Sequence, residues 1–243
     1  MDNVLFENKY LDAIDAACSK QGNYFAPALE RFSTYIRNDV SGRILDVGCG
    51  NGVFTVYLKK LVDGTLYGAD MSEYALESAR KNGFDVTQKI GDLSVAALPF
   101  ADGFFDAVII KDVFEHLLFP ANLLKEIARV TRKGGHILVL VPNHFTLFKR
   151  VKFLFTGSID TFGYFPRARA WEYPHIRFFS AESLKAFIVN DGAFTVAADL
   201  GYLFPDKLPW INRIPGYSAL TTVLAKRFPS LMVEGLTLVA RKI

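Results

Sequence analysis

The feature that most constrains this chain is a short apolar run that opens straight into glycines: Arg43-Ile44-Leu45-Asp46-Val47, then Gly48-Cys49-Gly50-Asn51-Gly52. An apolar run of this length, bounded by turn residues, reads as a buried strand. The glycines beyond it let the backbone turn tightly and approach a ligand closely. From there on, apolar runs alternate with amphipathic stretches. Residues 53–61 read as a helix, 66–70 as a second strand and 86–90 as a third. Ser72 suits the cap of a helix with Ala75, Leu76 and Ala79 on its inner face, closed by Gly83. Residues 105–110 make a fourth strand. A helix is expected over 120–132, with Pro120 in its first turn, Gly134 at its end, and Leu123, Leu124, Ile127 and Val130 inward. Residues 136–141 are almost continuously apolar, as suits a strand covered on both faces. Ser180 caps a further helix that runs to Gly192, residues 194–198 extend, and 236–240 make the last strand. This alternation predicts an α/β fold, a doubly wound, mostly parallel sheet with helices on both faces.

Size and composition bound the rest. A length of 243 residues fits one domain, and 51% hydrophobic residues supply a substantial core. The formal charge of +3 comes without a dense basic tract, which speaks against nucleic acid as a partner. Cys18 and Cys49 form neither a disulfide framework nor a metal-ligand spacing, so no metal is expected. The first residues lack a signal-peptide pattern, and no apolar run nears the roughly 18 residues of a membrane span. A cytoplasmic, soluble enzyme is the expectation. Residues 41–142 form the core of the single domain expected over 1–243. Residues 1–40 read as a helical cap, and 143–179 and 199–235 as insertions on the substrate side, rich in aromatic residues. Loops this long usually serve as lids or binding loops.

Glycines between a strand and a helix suit either a dinucleotide or S-adenosylmethionine. Two features separate these. The spacing is Gly-x-Gly-x-Gly, whereas the dinucleotide fingerprint is Gly-x-Gly-x-x-Gly. Asp46 stands at the mouth of the turn, where a pyrophosphate is repelled and a sulfonium or ammonium is welcome. Asp70 ends the second strand, where a carboxylate can accept from both ribose hydroxyls. Asp92, after the third strand, suits the adenine amino group, with Met71 and Leu93 packing on the ring. Doubly wound sheets bind ligands at this carboxyl edge of their strands.

With these residues in order, followed by Phe105-Asp106-Ala107-Val108, Asp112-Val113-Phe114-Glu115-His116-Leu117 and Gly134-Gly135-His136-Ile137-Leu138, the chain resembles class I S-adenosylmethionine-dependent methyltransferases of the "type 11" small-molecule group. Pro174-His175-Ile176-Arg177-Phe178-Phe179-Ser180 is similar to a further segment of that group. The resemblance implies a Rossmann-like, seven-stranded sheet whose last strand runs antiparallel. It implies S-adenosylmethionine as cofactor, with S-adenosylhomocysteine as product. It implies that Asp46, Gly48 and Gly50, within the turn that includes Cys49 and Asn51, surround the methionine part. Asp70 takes the ribose, and Met71, Asp92 and Leu93 take the adenine. Lys111 matches a position whose backbone faces the methionine part, and its side chain is expected to turn away.

Methyl transfer from a sulfonium needs alignment above all, which can supply roughly 7–11 kcal/mol. A base matters where the acceptor stays protonated, as in the favoured case of an oxygen, and it contributes about 10²–10⁴-fold. His116, His144 and His175 are the candidate catalytic residues, whereas His136 opens an apolar strand and reads as structural. Lys149, Arg150, Lys152, Arg167, Arg169 and Arg177 outnumber Asp160 and Glu172 among the aromatic residues of the first insertion. That mixture either roofs the domain or receives a hydrophobic, lipid-like or anionic acceptor at a membrane face. A nicotinamide-dependent oxidoreductase and a non-catalytic S-adenosylmethionine-binding domain are the competing readings.

Overall fold

The computed structural model describes residues 26–36, 42–157, 175–200, 223 and 227–243. The aromatic residues Phe162, Tyr164, Phe165, Trp171, Tyr173, Trp210 and Tyr217 of the two expected insertions lie outside the described residues. Seven strands form one sheet: β1 (Arg43–Val47), β2 (Thr65–Asp70), β3 (Val86–Lys89), β4 (Phe105–Lys111), β5 (Thr131–Pro142), β6 (Phe194–Asp199) and β7 (Gly235–Lys242). Their order is β3-β2-β1-β4-β5-β7-β6. Strands β1 to β5 pair in parallel, and β7 runs antiparallel to both β5 and β6. This is the doubly wound sheet expected. Its strand order reverses between β1 and β4, which opens a crevice at their carboxyl ends.

Among the described residues the helices are α1 (Ala26–Ile36), α2 (Glu73–Asn82), α3 (Pro120–Val130), α4 (Leu147–Thr156), α5 (Ala181–Val189) and the short α6 (Pro229–Met232). Side chains alternate across each strand, so the apolar strands feed two cores. On one face, Leu45, Val47, Val108, Ile110, Ile137 and Val139 meet Leu123, Ile127 and Leu184 of α3 and α5. On the other, Ile44, Leu66, Ile109 and Leu138 meet Leu29 and Phe32 of α1 and Leu76 of α2. Each such side chain contributes about 1.5–3 kcal/mol when fully buried. Ser72 caps α2 by accepting from Ala75 N, and Gly83 closes it at φ +111°. Ser180 caps α5 in a box with Ser183.

Two expectations need correction. Residues 53–61 do not form an α-helix; a 3₁₀ turn, Thr55–Lys60, takes their place. The helix expected over 120–132 ends at Val130, because Thr131 is extended and its hydroxyl donates to the Ile127 carbonyl. Gly134 therefore lies inside β5, at φ +76°, and does not end a helix. Register shifts there, with Phe105 opposite Thr131 but Ala107 opposite His136. A Cβ on Gly135 would lie 2.8 Å from the Asp106 carbonyl oxygen, so the Gly134-Gly135 pair lets this bulge form.

Candidate functional site

The crevice is organised from β1 outward. Gly48, Gly50 and Gly52 all hold positive φ, +69°, +53° and +77°. Side-chain-bearing residues rarely adopt that conformation, so the Gly-x-Gly-x-Gly spacing is a backbone requirement. Asp70, the last residue of β2, fixes this turn from the side. One carboxylate oxygen accepts from Gly50 N at 2.9 Å and the other from Ser72 N at 2.9 Å. A carboxylate has roughly four lone-pair sites, so each oxygen keeps room for a ligand hydroxyl. Burial raises the Asp70 carboxyl above the ordinary range against the pull of these N–H donors.

Asp46 is buried and accepts from the Thr55 hydroxyl at 2.6 Å. Burial pushes its carboxyl up to about 7, opposed by the Thr55 hydrogen bond and by the Lys111 charge. Asn51 is also buried, and its Nδ2 has no hydrogen-bond partner. A buried carboxylate and an unsatisfied amide beside a bare-backbone turn are what a zwitterionic, cationic ligand would satisfy. S-adenosylmethionine fits this cradle.

The other expected cofactor residues sit at or just past the carboxyl ends of β1 to β4. Cys49 is buried, and burial together with Asp46 pushes its thiol well up, so it is a packing residue against the sheet. Met71 is exposed just past β2. Asp92 is exposed and accepts from Ser94 N, while Leu93 packs partly against the core. Lys111 does not leave the site: its ammonium pairs with Asp112 and lies 5.4 Å from the Phe54 ring centroid, near enough to ease ionisation of Asp46.

Just past β4 the chain takes an unusual path. Asp112 holds φ +53° without being glycine, a conformation that Asp tolerates better than most residues. A 3₁₀ turn, Phe114–His116, follows. Residues 175–179 return to this turn, where Ile176 N and Arg177 N donate to the Glu115 carbonyl at 2.9 and 3.1 Å. Three expected histidines meet here. His144 Nε2 lies 2.9 Å from His175 Nδ1, and the His116 and His175 ring centroids are 4.7 Å apart. Burial lowers His144 to about 3 and His175 to about 4, each helped by neighbouring positive charge. Both are neutral imidazoles at neutral pH and weak bases. His136 instead packs against Tyr35, away from this group.

Sequence reasoning left out Thr55 and gave the Glu115 side chain no role. The Glu115 carboxyl is fully buried with no hydrogen-bond partner on either oxygen. Burial and the nearby Asp112 charge raise it well above the ordinary carboxylate range. The only cue in the sequence was its place between a strand end and a histidine.

Residues 45–139 match the family model described as a methyltransferase domain. Over these residues the chain is similar to methyltransferase domains. An uncharacterized methyltransferase of Schizosaccharomyces pombe is 35% identical over 140 residues, covering 53% of this chain and 50% of that protein. A ubiquinone biosynthesis O-methyltransferase of Alkalilimnicola ehrlichii is 32% identical over 104 residues, 42% of each chain. Against these curated relatives the matches span half of their length or less. A solved S-adenosylmethionine-dependent methyltransferase from Archaeoglobus fulgidus shares the fold over 99% of both chains, with a TM-score of 0.59 and 19% identity. The matched stretch runs from within β1 to within β5 and includes the glycine turn, Asp70 and the turn after β4.

Proposed function

We propose that this chain transfers a methyl group from S-adenosylmethionine to a small-molecule or lipid-like acceptor, with oxygen the favoured attacking atom. The observation that carries this reading is the pair of carboxylates, Asp46 and Asp70, flanking a turn whose three glycines hold positive φ. Bound there, the cofactor supplies an electrophilic methyl on a sulfonium leaving group. In this reading Asp46, Gly48, Cys49, Gly50 and Asn51, with the backbone of Lys111, enclose the methionine part. Asp70 accepts from the ribose, while Met71, Asp92 and Leu93 border the adenine. Ionised Asp46 offsets the cofactor's positive charge.

In this reading His116, His144 and His175 border the acceptor and orient it or hold its proton. The weak basicity of His144 and His175 suits an acceptor that ionises readily, such as a phenol, better than an aliphatic alcohol. The whole chain, 1–243, acts as one unit in this reading: a cap over 1–40, the cofactor core over 41–142, and acceptor-side insertions over 143–179 and 199–235. A lipid-like acceptor is favoured by α4. That helix buries none of its residues and exposes Leu154 at 77% and Phe155 at 81%, beside Arg150 and Lys152. Cationic amphipathic helices of this kind lie on anionic bilayers. Among the described residues no helix is long and apolar enough to cross one.

Transfer of tritium from methyl-labelled S-adenosylmethionine into the organic-soluble fraction of a cell extract tests the proposal. Label in the organic phase that depends on Asp46 supports it. Tight cofactor binding with no label in any fraction would instead favour a non-catalytic domain.

A further inference from the structure

Beside the cofactor crevice, three donor-bearing side chains converge that no sequence spacing brings together. Glu115 and His116 come from the turn after β4, and His175 comes from the segment that returns to it. One ligand atom from each lies within 4.8 Å of the others. The Glu115 carboxyl is fully buried, and neither oxygen has a hydrogen-bond partner. His116 Nε2 approaches Glu115 Oε1 only to 3.9 Å, too far for a hydrogen bond. A buried polar group left unsatisfied costs about 1–3 kcal/mol, and native structures retain one for a reason.

We propose that Glu115, His116 and His175 bind a divalent transition-metal ion, with zinc the best-matched kind. Two imidazoles and one carboxylate are a borderline donor set that suits zinc, and three protein ligands leave a position open. A tetrahedral ion about 2.0–2.2 Å from its donors spaces them about 3.4 Å apart, so side-chain rotations of about an ångström close the set. Metal-binding histidines commonly use their second ring nitrogen to bond a fixed partner. The 2.9 Å contact between His144 and His175 supplies such a partner and orients the ring. Burial keeps His175 neutral at physiological pH, the form that ligates a metal. The ion would tie the returning segment to the end of β4. The open position as a seat for an acceptor oxygen rests on the methyl-transfer reading; binding of the ion does not.

The test titrates the full-length, chelator-stripped protein with Co²⁺, followed by visible absorption, and with Zn²⁺ by calorimetry. S-adenosylhomocysteine affinity is measured on the same samples. One equivalent of Co²⁺ with the intense absorption of low coordination number is expected. Glu115→Gln and His175→Ala should each weaken Zn²⁺ by more than about tenfold. His136→Ala, removing the ring on Tyr35, should leave it unchanged. Unaltered circular dichroism shows that the variants are folded, and near-isosteric Glu115→Gln guards against collapse of the site. No Co²⁺ uptake by the wild-type protein overturns the metal site, as does equal Zn²⁺ affinity in both variants. Product-cofactor binding without metal uptake sinks this inference alone. Metal uptake without cofactor binding sinks the methyl-transfer reading alone.

Discussion

Replacing Asp70 by alanine separates the task that its carboxylate performs from the one proposed for it. In the structure it accepts from Gly50 N and Ser72 N, at 2.9 Å each, pinning the glycine turn to the end of β2. In the proposed complex the same oxygens also accept from two ribose hydroxyls. Hydrogen bonds to a charged group contribute about 1.5–3 kcal/mol each, so losing the ribose pair should cost about 3–6 kcal/mol of binding. At about 1.4 kcal/mol per decade, that weakens cofactor affinity by roughly two to four orders of magnitude. The protein itself loses the two turn contacts, but both donors are only part-buried and can turn to water. A stability loss of about 1–3 kcal/mol is therefore expected. Calorimetric titration with S-adenosylhomocysteine, paired with urea denaturation, reads both numbers. Asp70→Asn, which keeps an acceptor but not the charge, should fall between. If Asp70→Ala lowers stability yet leaves affinity within threefold, the carboxylate only pins the turn, and the ribose assignment fails.

Four further outcomes are expected. Asp46→Asn should weaken cofactor binding at pH 8 yet stabilise the free protein. The folded carboxyl is raised from 3.8 to about 7, so its burial favours the protonated form and stability falls as pH rises between those values, by at most about 4 kcal/mol. Thermal melts of both proteins at pH 5 and pH 8 check the sign, and equal pH dependence would refute it. By the same logic, wild-type affinity should drop about tenfold per pH unit below about 7, as Asp46 gains a proton; a flat titration series down to pH 5.5 excludes Asp46 as the counter-charge. Gly52→Ala places a side chain at φ +77° with its Cβ 2.2 Å from the Phe84 ring, and should cost about 2–5 kcal/mol in urea denaturation. Sedimentation with anionic vesicles should be lost in Leu154→Ser/Phe155→Ser. These positions probe the membrane surface more cleanly than Lys149, which is paired with Glu234; undiminished sedimentation would dismiss a bilayer role for α4.

The strands and their edge were legible because their cues are local. Ile44, Leu45 and Val47 are apolar in a short run, and each glycine of the turn reports a backbone angle that other residues avoid. Ser72 and Ser180 announced their helices through the side chain that caps them. Tertiary geometry hid the rest. Residues 53–61 carry a helical pattern, but Thr55 donates to buried Asp46 and the stretch tightens to a 3₁₀ turn. The end of α3 depended on a bulge opposite Phe105 that only β4 reveals. The meeting of His116, His144 and His175 needed the return of a distant segment, and the isolation of the Glu115 carboxyl follows from packing around it.

The segment that re-enters at His175 is held to the turn after β4 through main-chain atoms, Ile176 and Arg177 N–H on the Glu115 carbonyl. Such a joint is blind to side-chain identity. Side chains before the joint, apart from those of His144, Lys149 and His175, can therefore change for a new acceptor while the return itself is kept. Versatility in what this scaffold modifies would then trace to two amide protons and one carbonyl oxygen.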